Sequence, residues 1–530
     1  MELLLSLLVA SALSFSDVTG DIGLKGSAMC RDIAIADFDG DGDLDLFVAS
    51  NLSNSSRLYE NLGEGEFLEA EYFPGIDVTP GIKMAIAADI DADGDPDLVT
   101  VEAVEGANLC LYLNNGQGSF EDKKGLPALP EPGSRCFLAL DFNGDSVSDL
   151  MYIDREGELH VFDGKDSYAR DLVDPMGLSH LHGVVKFLLM ETDEGLAFFT
   201  LERNGMVKCF VYRNGAFYQV DENLIPGAPD LIPCDIDADG DVDLLSPCGT
   251  KLTVLVKEED RMIRKDVPLP TSAPLVVLKA SDLNLDGYVD LTGIDTLGYL
   301  HIFMADGSGF FDEEEIDLSG GVATELRIAD IDDDSRNDII VLTDGGPIVL
   351  QNKGEDGNYL RLELSPEKKP LQIASACLYA GDWKFRTVLS AVRPSIVGIP
   401  QPSLDSLKVF WPDGSRDDYR KLEINSTFEL GEPESEIKES GETDSDTLFW
   451  IYPNPTKGSF TLYFDVETAS KVTVQLLSLS GQTLKVLLDE QKDPGAYSLF
   501  FPGEELNPGT YLVRITLGDR VIQQKVVILH

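Results

Sequence analysis

The chain is short of positive charge. Its 530 residues carry 94 acids against 41 Lys and Arg, a formal net charge of −53. A surface of that sign repels phosphate backbones and anionic lipid heads, which excludes nucleic acid as a partner and disfavours acidic membranes. Only five histidines occur, at 160, 180, 182, 301 and 530, and none stands in a nucleophile or metal-ligand spacing. His180 and His182, two apart, are expected on the same face of a strand. G-x-S-x-G, H-E-x-x-H and phosphate-loop patterns are missing, which removes the sequence marks of many hydrolases and nucleotide enzymes. No apolar run is long enough to span a bilayer, so no transmembrane segment is expected. The seven cysteines (30, 110, 136, 209, 234, 248, 377) lack a C-x-x-C or Cys/His zinc spacing. They read as small buried hydrophobes, with Cys234 and Cys248 the one pair placed to bridge a hairpin. The hydrophobic share is 43%, enough for a globular chain. At roughly 150 residues per domain, the length suggests three or four domains.

One pattern recurs through the first 350 residues: an apolar strand, then D-x-[DN]-x-D-[GS]-x-x-D, then a second apolar strand. Copies begin at Asp37, Asp89, Asp141, Asp235, Asp282 and Asp330, so the intervals are 52, 52, 94, 47 and 48 residues. The interval of 94 is two periods. It predicts a decayed copy near residue 190, where Phe187 to Thr200 keeps two apolar runs around Asp193 without the acidic loop. Each repeat continues with a third strand and a Gly-rich turn before an aromatic, as in Leu58 to Phe67 and Leu111 to Phe120. About four strands in about 48 residues is one propeller blade, and seven units close a ring that leaves no sheet edge open. The last repeat ends at Asn352 without an aromatic-led fourth strand, and Phe15-Ser-Asp-Val18 is predicted to supply it. The fold class expected is all-β: a seven-bladed β-propeller, a small β domain and a C-terminal immunoglobulin-like β-sandwich.

The acidic loops are expected to bind calcium, which takes six to eight hard oxygens at about 2.3–2.6 Å. Positions 1, 3, 5 and 9 supply side chains and position 7 a backbone carbonyl. In the first loop these are Asp37, Asp39, Asp41 and Asp45, with Asp43 by carbonyl; in the second, Asp89, Asp91, Asp93 and Asp97, with Asp95. The third offers Asp141, Asn143, Asp145 and Asp149. The loop at the fifth repeat offers Asp235, Asp237, Asp239 and Asp243, with Asp241 by carbonyl. The sixth offers Asp282, Asn284, Asp286 and Asp290 with Tyr288; the seventh, Asp330, Asp332, Asp334 and Asp338 with Arg336. An EF-hand would need Glu at position 12, where these loops carry Val48, Thr100, Tyr152, Ser246, Gly293 and Val341. Position 6 needs a left-handed turn. Gly42, Gly94, Gly240 and Gly287 take it freely, while Ser146 and Ser335 carry a cost of about 1 kcal/mol. Four firm calcium sites and two weaker ones follow. Of the 94 acids, 26 lie in these six loops, so much of the acidity is a periodic cation framework.

With these residues in place, the first 350 positions resemble the FG-GAP/VCBS repeat propellers, whose calcium loops lie between the first two strands of a blade. Phe15 to Leu24, Asn358 to Leu364 and Leu404-Asp-Ser-Leu-Lys-Val-Phe-Trp-Pro-Asp-Gly414 resemble bacterial relatives of cartilage acidic protein. Those carry an ASPIC/UnbV domain after the propeller. The usual Asn-Arg-x-x-Ile-Gly-Ala stretch of that domain is replaced here by Lys368 to Ser375. Trp450-Ile-Tyr-Pro-Asn-Pro, Gly509-Thr-Tyr and the final Lys525 strand resemble the type IX secretion sorting domain of Bacteroidota. That resemblance implies the type IX secretion machinery as a partner, and secretion or display on the outer surface of a Gram-negative bacterium. Residues 1–12, with an apolar run ending in Ala10-Ser11-Ala12, are expected to be a signal peptide. The domain reading is 13–352 propeller, 353–431 ASPIC/UnbV-like domain, 432–447 acidic linker and 448–530 sorting domain. A binding or adhesion module for an extracellular protein or glycan is the function expected. A calcium propeller that degrades polysaccharide and a purely structural envelope protein are the alternatives.

Overall fold

A computed structural model describes residues 14–431 and 449–528 except for short internal stretches, among them 141, 143–146, 366–372 and 412–415. The expectations for 1–12, for the 432–447 linker and for Asp141, Asn143 and Asp145 fall outside the described residues. Every regular element described is a β-strand. No helix among the described residues is long and apolar enough to cross a membrane.

The protein is a β-propeller, built from seven antiparallel sheets in residues 15–352 among those described. Strands Cys30–Ala36, Asp45–Ser50, Arg57–Asn61 and Phe67–Glu69 form the first sheet in chain order. The acidic loop spans the turn between the first two strands, so Ala36 pairs with Asp45. Apolar side chains from both faces of each sheet then fill the space between neighbours. Ala34, Phe47 and Leu58 of the first sheet share a core with Ile82, Leu98 and Phe120 of the second. The aromatic that leads each outer strand is buried as well, Phe120 in this core and Phe67 in the one the first sheet shares with the last. Near residue 190, strands Val184–Thr192 and Gly195–Glu202 pair across a two-residue connection, which leaves no length for an acidic loop. The last sheet holds Ala323–Ala329, Asp338–Thr343 and Gly346–Asn352. Its fourth strand is Phe15–Asp17, from the far end of the chain.

Two further sheets lie in residues 359–430. In one, Tyr359–Leu364 runs antiparallel to Ser395–Gly398 and parallel to Ser426–Leu430. The other orders as Trp383–Ser390, Ile373–Ala380, Ser406–Phe410 and Arg416–Arg420. Leu360, Leu378 and the fully buried Trp411 join Leu245, Leu278 and Phe303 of the propeller in one cluster. The chain up to Pro433 is accordingly one compact unit, and Glu434–His530 is another. Within the second unit, two sheets share one core of Leu462, Val472, Val474, Leu476, Phe501, Val513, Ile515 and Val526.

The thiol reading of the cysteines holds and the expected strand at His180 and His182 does not. None of the seven cysteines forms a disulfide. Cys234 pairs with Asp243 at the loop end of its hairpin, and Cys248 sits opposite Lys251 at the other end. Five residues of extended strand, about 17 Å, separate the two positions, far beyond disulfide reach. His180 and His182 lie in a turn before Val184 and not on a strand. His182 Nδ1 meets Glu158 at 2.6 Å, and His180 packs 5.8 Å from the Phe210 ring.

Candidate metal sites

Each described acidic loop repeats one hydrogen-bond scheme. The position-1 carboxylate accepts the amide of position 6: Gly42 to Asp37 at 3.1 Å, Gly94 to Asp89 at 3.1 Å, Gly240 to Asp235 at 3.0 Å. Gly287 to Asp282 and Ser335 to Asp330, both 2.9 Å, continue the series. The position-5 carboxylate accepts the amide of position 7, as when Asp43 donates to Asp41 at 3.0 Å. These bonds wind the backbone around the carboxylates. Winding of this kind needs left-handed residues, and Gly42 (φ +100°) and Ser335 (φ +67°) provide one at position 6. Position 4 is left-handed too, at Gly40, Ala238, Leu285 and Asp333. The spacing of the acids did not reveal that second turn.

Position 9 carries a structural load. Asp45 Oδ2 accepts from the Phe38 amide at 2.9 Å and Oδ1 from the Asn61 amide at 2.8 Å. Asp97, Asp149, Asp243, Asp290 and Asp338 each repeat this double acceptance from position 2 and from the third strand. The carboxylate thus fixes the loop to the blade before any ion arrives. Sequence reading missed the partner residue. Asn61, Asn114 and Asn352 end their third strands, and their side-chain amides donate to two carbonyls, one in their own sheet and one in the neighbouring sheet. Asn61 reaches Leu44 and Ile331 at 3.2 and 2.9 Å, Asn114 reaches Pro96 and Phe38, and Asn352 reaches Asn337 and Leu283. An Asn that recurs in phase with the acidic loops was the available signal.

Carboxylate oxygens lie within 4.8 Å of one another in four loops: Asp37, Asp39 and Asp41; Asp89, Asp91 and Asp97; Asp235, Asp237 and Asp239; Asp330, Asp332 and Asp338. Oxygens on opposite sides of a calcium ion stand about 5 Å apart, so the spacing fits a hard dication. Asp332 Oδ1 is moreover buried with no hydrogen-bond partner among the described residues. The sixth loop differs. Its carboxylates do not form such a group among the described residues, Asn284 Nδ2 donates to Asp286 Oδ2 at 3.0 Å, and Asp282 Oδ2 also accepts the Gly398 amide at 3.1 Å. The seventh loop forms a group despite Ser335 at its turn, so glycine at position 6 does not sort the loops.

In the metal-free protein burial favours the protonated form of several of these acids. Burial, reinforced by neighbouring loop carboxylates, pushes Asp45, Asp97, Asp243 and Asp282 up to about 7 and Asp235 and Asp338 up to about 8. Burial likewise raises Asp330 to about 7 against the pull of Arg361, and raises Asp290 well above the carboxylate range. The backbone donors only partly offset this, and a bound dication would supply the charge that the protons now supply.

The two sheets at 359–430 seat on three of the loops, which no motif foretold. The Arg386 amide donates to Asp235 Oδ2 and its Nε to the Gly240 carbonyl, each at 2.9 Å. Trp383 Nε1 donates to the Gly287 carbonyl at 3.1 Å. Arg361 lies 3.4 Å from Asp330 Oδ2 and pairs with Asp333. The one histidine held between two acids, His160, lies 3.0 Å from Asp154 and 3.1 Å from Asp171 with no nucleophile beside it among the described residues.

Residues 37–100 and 89–152 match the FG-GAP-like repeat family, and residues 450–529 match the secretion system C-terminal sorting domain. No curated protein matches the chain. Solved structures with some likeness include BBS1N from a complex with ARL6DN, at 13% identity and a TM-score of 0.41 over 64% of this chain and 96% of that one. Sqt1 of Saccharomyces cerevisiae has 11% identity and a TM-score of 0.41 over 64% and 98%. YCF48 from Cyanidioschyzon merolae has 10% identity and a TM-score of 0.39 over 64% and 98%.

Proposed function

We propose that this chain is a secreted or surface-displayed β-propeller that calcium stabilises and that acts as a binding or adhesion module for extracellular proteins or glycans. The convergence of carboxylates in four loops, each wound by its own backbone, carries the calcium part of this reading. Positions 1, 3 and 5 supply the oxygens in loops one and five and positions 1, 3 and 9 in loops two and seven, position 9 also braces each loop, and the position-7 carbonyl completes the set. Arg361 already places a positive charge at loop seven, and its charge also reaches Asp43 of loop one. The sorting-domain match supports export, and the two-sheet domain at 359–430 supports the ASPIC/UnbV-like reading of that segment.

Binding to glycan and matrix-protein arrays, with and without chelator, tests the reading. Saturable calcium-dependent binding is the expected result; release of oligosaccharides from the array would replace the module by an enzyme. Removing Trp450 to His530 is expected to hold the protein in the periplasm, read by surface labelling and fractionation. Normal display of the shortened chain would refute the sorting role.

A further inference from the structure

A cavity of about 780 Å³ opens where the inner strands of the later blades meet the sheets at 359–430. That is the size range of small-molecule sites. Val184–Thr192, Ile232–Cys234, Leu275–Ser281 and Ala323–Ala329 give one wall, and Trp383–Ser390 with Ser395–Gly398 the other. The cavity gathers positive charge in a chain that has little. Lys186, Lys279, Arg327, Arg361, Arg386 and Arg393 line it, against the acids Asp230, Asp282, Glu325 and Asp330. Asp282 and Asp330 also belong to the acidic loops, so a cation bound there would leave the wall more positive still.

Five of the six bases have work to do in the fold. Lys186 pairs with Asp230 at 2.5 Å and Lys279 lies 3.7 Å from Glu325. Arg327 bridges Asp32 at 2.9 Å and Glu325 at 2.6 Å. Arg361 and Arg386 hold the loops described above. Arg393 is different. Its recorded hydrogen bond goes to the Ile328 carbonyl at 3.0 Å, and it has no carboxylate partner among the described residues. The side chain is exposed to the cavity, yet enclosure by protein and then the neighbouring Arg327 both weaken its hold on its proton. Two guanidinium groups that repel each other across one cavity, one of them without a counter-charge, favour an anion between them.

We propose that this cavity binds a small molecule through an oxyanion group, a carboxylate, sulfate or phosphate, held by Arg393 with Arg327 behind it. A planar guanidinium fork suits such a group, and the partly enclosed setting strengthens the pairing. The cavity reaches Leu44 of loop one but none of that loop's carboxylates. It gives the binding-module reading a ligand class and rests on that reading.

Isothermal titration calorimetry on the calcium-loaded full chain at low salt tests it, with galacturonate, inorganic sulfate and inorganic phosphate as probes and galactose as the neutral control. At least one anion is expected to bind at a single site, with galactose silent, and the strongest probe identifies the oxyanion. Arg393→Gln is expected to weaken that binding by about tenfold or more, the usual scale for a charge-assisted hydrogen bond. Its melting temperature should stay unchanged. Arg393→Lys keeps the charge without the fork and should bind with intermediate affinity, which keeps the test decisive if the glutamine variant folds poorly. Silence of all three anions, or wild-type affinity in either variant, overturns the proposal. The Arg393 variants assign the heat to the cavity rather than to the bound calcium, so this test can fail while calcium-dependent array binding stands, and the reverse.

Discussion

Removing calcium from the purified protein at pH 8 is expected to lower its melting temperature by well over 10 °C. The four loops whose carboxylates converge set the scale. An ion present at a hundredfold its dissociation constant adds about 2.7 kcal/mol per site, so four sites contribute about 11 kcal/mol, comparable to the whole stability of an ordinary domain. The pH dependence separates calcium from a general salt effect. Burial holds Asp45, Asp97 and Asp243 at about 7 and Asp235 and Asp338 at about 8 in the metal-free fold, against an ordinary value of 3.8. A raised carboxyl contributes stability that is complete below about pH 4 and is lost as pH climbs through 7 to 8. The metal-free protein should therefore melt lower at pH 8 than at pH 6. Calcium should restore it more at pH 8 than at pH 6, because fewer protons have to be displaced there. Melting of dialysed protein with and without calcium at the two pH values reads this directly, and magnesium should replace calcium poorly because it demands a tighter octahedral shell. Equal melts at pH 8 with and without calcium would sink the assignment.

Deleting Phe15 to Thr19 should be the next most damaging change. Phe15, Ser16 and Asp17 pair with Asn352, Gln351 and Leu350. The Val18 amide donates to the Val349 carbonyl at 3.1 Å, and the Val349 amide donates to Thr19 Oγ1 at 2.8 Å. Phe15 packs on the cluster that holds Leu350, and Val18 on the one that holds Val349. These contacts join the two ends of the propeller, so the segment acts as a clasp. Without it, Gly346–Asn352 becomes a bare edge strand that invites pairing with another chain. A melting temperature lower by several degrees and a shift to larger species in size-exclusion chromatography are expected. A shortened protein that melts like the full chain and stays monodisperse would show that the ring holds without its clasp.

The clasp shows how far local pattern reaches. An aromatic-led strand missing after Asn352 and present at Phe15 was legible because each blade repeats the same strand order. The loops were legible for the same reason, since Asp37 to Asp45 must turn back on itself wherever it occurs. Even the lost loop near residue 190 left its two strands in phase. What periodicity could not show was the use made of each copy. Asn61, Asn114 and Asn352 look like turn residues until the neighbouring sheet brings Ile331, Phe38 and Leu283 to their side chains.

The sequence by itself determined the blade, the acidic loop and the closing strand, because each depends on residues near one another in a repeat. Tertiary structure alone decided which carboxylates converge, why loop six departs from loops one, two, five and seven, and where Arg361, Arg386 and Arg393 end up. At loops five, six and seven those outcomes depend on the sheets at 359–430, whose own sequence brings Arg386, Trp383 and Arg361 to them. Contact between two unrelated surfaces follows shape and buried charge, and neither leaves a period in the chain.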